Sequence, residues 1–566
     1  MASSFMGLYV QREALVSAQK ALDITGSNIS NSTTEGYSRQ RVDVCSVQNN
    51  GYNLFYNTSV SMGGQGVDNV GITQYRDALI DDKVRGYTTS VNEYSQKKTV
   101  MSEVETALDN IEAAENGFAV NLAKFKEALQ SFSSDNSDRQ EIANVTIQAA
   151  QSVVQQLNYM NARIDDISQQ TLEDANTTVG EINTLLRAMG ELNEKITTSY
   201  VSMGYISAGK GNYIVDNDYG PLELKDMMHV YIDKLSQYGN VNVEEQTNGS
   251  FTVSFAGQIV VHNEKFAQMA MTSVNPAPFD MGFCITNAGN YDKDTDTYSG
   301  LMNSDQWVKI GQQLGSTEVY VRDDVNAVDV TGTDLLKSGT LRAYLDVYNG
   351  DGIYAVEGGN TYQGIEYYRD MLNSLAKTMT EEFNAVYEDF GFTVFTFENE
   401  DGNITEDEFH NAARNFRISQ DWLDNPSVIA QPEQHPNNPE DPMDELNNDY
   451  INKMLGVIQA SFKYGYTDAD GKDHFDPLAV TFENFVAHIS DNLGTQVESN
   501  NKILNTTEIM LESSITTRDE IMGVSIYEEG INMMNYQKWY NAIARMVTTL
   551  DEALDKIING MGIVGL

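Results

Sequence analysis

Apolar residues recur every seven positions at both ends of this chain. Near the N-terminus the row is Leu8, Leu15, Leu22 and Ile29, with the small residues Ala14, Ala18 and Ala21 between them. Near the C-terminus two rows run side by side. One is Met533, Tyr540, Val547 and Leu554, and the other is Tyr536, Ile543, Leu550 and Ile557. A heptad row lies as a stripe along one helix face, and such a stripe needs a partner helix. Stripes at opposite ends of a 566-residue chain predict that it leaves and returns to one place. They also predict that the last burial happens between molecules. Together these residues form the expected assembly interface.

Between the ends the pattern changes twice. The spacing predicts a first helix from Ser3 or Ser4 to Gly26, then an extended, Gly-rich stretch over 37–75 with a breaker at Gly63-Gly64-Gln65-Gly66. From 76 to 200 the period is helical: Leu122, Phe125, Leu129 and Phe132, then Val153, Leu157, Met160, Ile164 and Ile167. Residues 202–337 carry short alternating runs, such as Phe251-Thr252-Val253-Ser254-Phe255, and the hairpin dipeptide Asn248-Gly249. Helix returns over 361–389 and again over 478–558, with a break near Gly523. The stretch 390–450 is acidic and loop-rich, and holds four prolines between Pro432 and Pro442.

The predicted fold is mixed. An elongated α-helical rod has coiled-coil-like terminal helices, N- and C-termini paired, and an inserted mostly-β domain. The expected division is a terminal helical assembly domain (1–45 and 524–566), a helical rod (46–201 and 338–523, with the acidic loops of 390–450), and an inserted outer domain (202–337).

Net charge is −46, which argues against nucleic acid, whose phosphates need clustered Lys and Arg. A strongly acidic surface keeps a protein soluble. No stretch reaches the roughly 18–20 apolar residues of a membrane span. The first residues lack the basic and apolar segments of a cleavable signal peptide. Cys45 and Cys284 are far apart, and nothing in their spacing supports a disulfide.

No motif argues for catalysis, a metal or a cofactor. Gly204 to Lys210 fits most of a phosphate-binding loop, but Gly211 stands where the Mg²⁺-binding hydroxyl is needed. Asn399 to Phe409 resembles part of a calcium loop, with Phe397 in place of its first carboxylate. Asp292, Asp294 and Asp296 alternate without the closing Glu. The six histidines, His229, His262, His410, His435, His474 and His488, form no zinc-type pair.

Short motifs carry a resemblance. Asn28-Ile29-Ser30-Asn31 is followed by Thr34-Glu35-Gly36-Tyr37-Ser38-Arg39-Gln40, and the chain closes with Gly523-Val524-Ser525, Glu528-Glu529, Tyr536-Gln537, Tyr540 and Ala542. Between them stand Tyr75-Arg76-Asp77, Glu181-Ile182-Asn183, Leu192-Asn193, Ser338-Gly339-Thr340-Leu341 and Phe383-Asn384. This set resembles the axial proteins of the bacterial flagellum, and among them the hook-associated protein 1 family. Ser525 departs from the family's usual Asn, and either residue caps a helix.

The resemblance implies a structural component of the hook–filament junction that is not an enzyme and uses no cofactor. It implies export through the flagellar apparatus to the extracellular flagellum. The implied partners are further copies in a homo-oligomeric ring, other axial proteins such as hook protein and a second junction protein, and an export chaperone at the C-terminal helix. The alternatives are another axial protein, such as hook protein or flagellin, or an adhesin or enzyme with its activity in 202–337.

Overall fold

The structure is a computed structural model. It describes residues 4–46, 66–108, 117–134, 139–203, 220–273, 281–292, 297–307, 327–355, 359–398, 409–430, 449–467 and 471–560. The phosphate-loop-like run, most of the calcium-like run, Asp294 and Asp296, the Gly63–Gln65 breaker and the proline-rich stretch lie outside the described residues.

Long helices dominate. They are α1 (Ser4–Ser30), α2 (Ala78–Leu108), α3 (Phe118–Ser134), α4 (Arg139–Met203), α5 (Leu222–Leu235), α6 (Thr340–Tyr348), α7 (Ile365–Ala385), α8 (Asp449–Gln459), α9 (Phe482–Met522) and α10 (Ile526–Gly560). The first helix runs past its expected stop at Gly26, where a side chain would meet nothing within 4 Å. Its extra turn is held by Asn31, whose Nδ2 donates to the Ser27 carbonyl at 3.1 Å. The expected break at Gly523 separates α9 from α10. A Cβ there would sit 2.3 Å from the Asp519 carbonyl oxygen, so only glycine fits. Ser525 then caps α10, its Oγ accepting from the Glu528 N–H at 3.4 Å.

Two cores lie one beyond the other along α4, whose 65 residues extend about 100 Å at 1.5 Å each. Its first half buries Val153, Leu157, Met160 and Ile164 with α2, α3, α7 and α9. Phe125 and Phe383 meet there at 5.9 Å between ring centroids. The described part of 390–450 is not a loose loop. It forms strands Phe395–Phe397 and Phe416–Ile418, and it sends Phe395, Phe416 and Trp422 into this core.

The second half of α4 buries Val179, Ile182, Leu186, Met189 and Ile196 in the other core. The strands of the insert cover them: Val241–Glu245, Phe251–Phe255, Gln258–His262 and Lys265–Phe266 form one antiparallel meander. A three-stranded sheet places Met281–Thr286 between Gln268–Ser273 and Ala327–Asp329. Among the described residues the insert shares its core with the rod: Phe251, Val253 and Phe255 belong to the same buried cluster as the second half of α4.

One device recurs at several places where a helix meets extended chain. A helix-borne asparagine pairs with both the N–H and the C=O of one residue, as a neighbouring strand does. Asn193 does this with Phe251 (2.9 and 2.8 Å), Asn183 with Met269 (2.7 and 2.8 Å), and Asn384 with Phe395 (3.1 and 2.8 Å). Asn349, just past α6, does it with Met281 (2.8 and 2.7 Å). An amide is the one uncharged side-chain group that can both donate and accept in this way along a strand edge.

Candidate assembly interface

Helix α1 lies antiparallel to α10. Gly7 faces Leu550, and Asn28 donates to Glu529 Oε2 at 3.1 Å. Residue numbers sum to 557 at both contacts, so the pair runs without a slip. The most buried face of α1 is the small-residue stripe Ser17, Ala18, Ala21, Thr25 and Asn28. Small side chains let helices approach closely.

The predicted interface residues sit differently. Leu8, Leu15, Leu22 and Ile29 are half-buried, as are Met533, Tyr536, Tyr540, Val547, Leu550 and Leu554. Of the C-terminal rows only Ile543 is buried, and Ile557 is 50% exposed. The heptad rows thus flank the helix pair, and part of their surface stays open.

At the inner end of the pair the two terminal motifs meet. Asn28 uses the same strand-mimicking device on Gln40: Oδ1 accepts from its N–H at 3.0 Å, and Nδ2 donates to its carbonyl at 2.8 Å. Tyr37 donates to the same Oδ1 at 2.9 Å. Arg39 forms ion pairs with Glu528 (3.0 Å) and with the buried Glu529 (2.8 Å), and its N–H donates to the Met522 carbonyl. Gly36 makes the turn possible, with φ at +75° and Val230 so close that a Cβ would fall 2.2 Å from it.

The insert's own helix, α5, reaches this junction. Asp226 accepts from the Ser38 N–H at 3.1 Å and from Arg76 at 3.3 Å. Asp233 binds Arg85 of α2 at 2.8 Å and Arg518 of α9 at 2.9 Å. Burial pushes the Asp226 carboxyl up to about 6, although Ser38 and Arg76 pull it down. Burial first, then the cations Arg76, Arg85, Lys225 and Arg518, holds His229 well below its ordinary value. Its Nδ1 lies 3.0 Å from Arg85 Nη2 and accepts from it, so the neutral ring carries its proton on Nε2.

Three family profiles match the chain. "Flagella basal body rod protein" matches 8–37 and "Flagellar basal body rod FlgEFG protein C-terminal" matches 516–560. These are the two segments that the Asn28–Arg39–Glu529 network joins. "Flagellar hook-associated protein FlgK helical domain" matches 101–337. Flagellar hook-associated protein 1 of Bacillus subtilis is 27% identical over all of both chains. The Salmonella typhimurium protein of that name is 20% identical over 96% of this chain and 98% of its own.

The chain belongs to the flagellar hook-associated protein 1 family.

The flagellar hook junction protein FlgK of Burkholderia pseudomallei shares the fold of this family member, with a TM-score of 0.50 at 12% identity. The match covers 77% of this chain and 99% of that one. The asparagines of the family-like motifs, Asn28, Asn183, Asn193 and Asn384, each dock a strand-like segment. Asn349 does the same outside any motif read from the sequence. Sequence reading missed the role of α5, because Asp226 and Asp233 are two acids among 82 and no spacing marks them. Among the described residues no cluster of His, Cys, Asp and Glu could hold a metal ion. No described helix is long and apolar enough to cross a membrane.

Proposed function

We propose that this chain is a structural, non-enzymatic component of the flagellar hook–filament junction and that it assembles with further copies through its terminal helix pair. The observation that carries the reading is the state of α1. Its small-residue face is buried within the chain while Leu8, Leu15, Leu22 and Ile29 keep open surface. Burying an apolar side chain contributes about 1.5–3 kcal/mol. A row that is half-covered in one chain gains the rest only against another. The twelve heptad residues are the proposed interface, and neighbouring axial proteins are the proposed further partners.

Before assembly that surface is a liability in the cell. Ile531, Met534 and Met546 of α10 are each more than half exposed. An export chaperone covering α10, and passage through the flagellar export channel to the cell exterior, fit this exposure. The test is localisation. Labelled protein is expected at one position on each flagellum, between hook and filament, and a chain lacking 524–566 is expected to be absent from it. Uniform labelling along the filament would assign the chain to another axial role.

A further inference from the structure

Charge along the terminal helix pair is banded. The segments 1–46 and 523–566 together carry only −2 of the chain's −46. Within them the antiparallel register sets Arg12 level with Arg545, and Lys20 level with Lys538. These four cations form a belt around the middle of the pair, with only Glu13 among them. Toward the junction the exposed acids are Asp23, Glu35 and Glu528; Glu529 is buried, Arg39 pairs with both glutamates, and Arg41 pairs with Asp43. Toward the far end, Asp551, Glu552 and Asp555 outnumber Lys556. The order along the axis is acidic, basic, acidic.

Two exposed apolar strips accompany the bands. On α1, Tyr9 (57% exposed) and Val16 (37%) flank Arg12 on the basic belt. On α10, Tyr527 (88%), Ile531 (55%) and Met534 (55%) lie one turn apart beside the junction acids. The strips are on different helices and at different heights, so they cannot meet within one chain.

We infer that neighbouring copies pack with an axial offset of about twelve residues, about 18 Å, with the α1 strip of one copy on the α10 strip of the next. In register, belt would face belt and acid would face acid. The offset puts the belt of one copy against the junction acids of the next, and the far-end acids of the first against the belt of the second. One displacement satisfies both contacts. The apolar strips fix its direction, since Val16 then stands level with the Tyr527–Ile531 turn. Unlike surfaces meet, so the contact is heterologous and propagates from copy to copy instead of closing a two-fold dimer.

This rests on the proposed self-assembly, and one experiment separates the two. In a full-length Cys45→Ser background, Val16→Cys and Ile531→Cys are combined and the protein is concentrated until it assembles, then oxidised. The expected product is a ladder of disulfide-linked oligomers, with each single-cysteine variant giving no ladder. Assembly with efficient Val16→Cys homodimers, or assembly with no cross-link, overturns the offset and leaves self-assembly standing. No assembly in the Cys45→Ser parent overturns the functional reading itself. A second arm swaps charge. Arg12→Glu is expected to raise the concentration needed for assembly at least tenfold at low salt and by much less at 0.5 M NaCl, since surface attraction is screened. Equal effects at both salts contradict the charge bands.

Discussion

Asn28 and Glu529 stand 501 positions apart in the chain and share a buried hydrogen bond of 3.1 Å. The bond closes the chain on itself at the point where its two most recognisable motifs meet. Asn28 also holds Gln40 and Tyr37, so one amide organises the turn out of α1, the start of the strand Gln40–Ser46 and the start of α10. Asn28→Ala leaves the Gln40 N–H and C=O without that partner. Each unsatisfied buried group costs about 1–3 kcal/mol. Hydrogen exchange should accelerate by at least tenfold in 24–40 and 524–532 while α4 stays protected. Uniform exchange across the chain would show that this junction is not a local unit.

Arg39 neutralises Glu528 and Glu529 together, and Glu529 is 2% exposed. Arg39→Ala leaves that buried carboxylate unpaired, at a cost of about 3–5 kcal/mol. Arg39→Lys recovers only part of it, because one ammonium replaces the planar fork whose Nη1 meets Glu528 and whose Nη2 meets Glu529. Urea midpoints for the two variants should rank wild type, Lys, Ala. A lysine variant as stable as wild type would show that charge alone suffices.

The asparagine device is tested by Asn193→Asp. Shape is conserved, but a carboxylate cannot donate to the Phe251 carbonyl, and the site is fully buried. The variant is expected to lose about 3 kcal/mol or more at pH 7, from a missing bond and a buried charge. Calorimetry that finds less than about 1 kcal/mol would reduce the device to a coincidence of geometry.

Much of this architecture is legible in the sequence, for identifiable reasons. Heptad rows, the break at Gly523, the Ser525 cap and the Asn248-Gly249 hairpin all act over a few residues, and periodicity or a single conformational need reveals them. Domain independence does not act that way. Alternation in 251–261 reads as a β unit, yet Val253 and Phe255 belong to the same buried cluster as Ile182, Leu186 and Met189 of α4, which read as rod. The heptad leucines read as the stripe through which α1 meets its partner helices, yet the better-buried face within the chain is Ser17, Ala18 and Ala21, because close approach favours the smallest side chains.

That shared core sets the outcome of excision. Replacing 203–337 by a short Gly/Ser linker uncovers Ile182, Leu186, Met189 and Ile196. The second half of α4 should fray, with loss of helical circular dichroism and a broadened melt. A variant that keeps the full α4 signal and a sharp transition would show that the rod stands without its insert.

Acid should act on the junction through His229. In the unfolded chain this imidazole protonates below about 6.5. In the folded chain it stays neutral, so its contribution is present above 6.5 and is lost as pH falls, at about 1.4 kcal/mol per unit. Asp226 acts oppositely. Its raised pKa gives stability that is full below its ordinary 3.8 and is lost as pH rises through about 6. His229→Gln removes only the first effect. Between pH 6.5 and 5, wild type should lose up to about 2 kcal/mol relative to the variant in paired urea titrations. Parallel curves would mean that His229 takes up its proton in the folded state.

The central claim is that the heptad row of α1 is completed by another copy, and Leu22 tests it most directly. Leu22 is half-buried in the single chain, so Leu22→Asp leaves its carboxylate in reach of water and should lower the melting temperature of the monomer only slightly. Against a neighbouring copy the same carboxylate is buried without a partner, at several kcal/mol. The measurement is sedimentation of folded Leu22→Asp protein at a concentration where wild type assembles. The account predicts a monomer boundary for the variant beside fast-sedimenting wild type. A variant that melts far below wild type yet sediments with it would place Leu22 in an intramolecular core and contradict the claim.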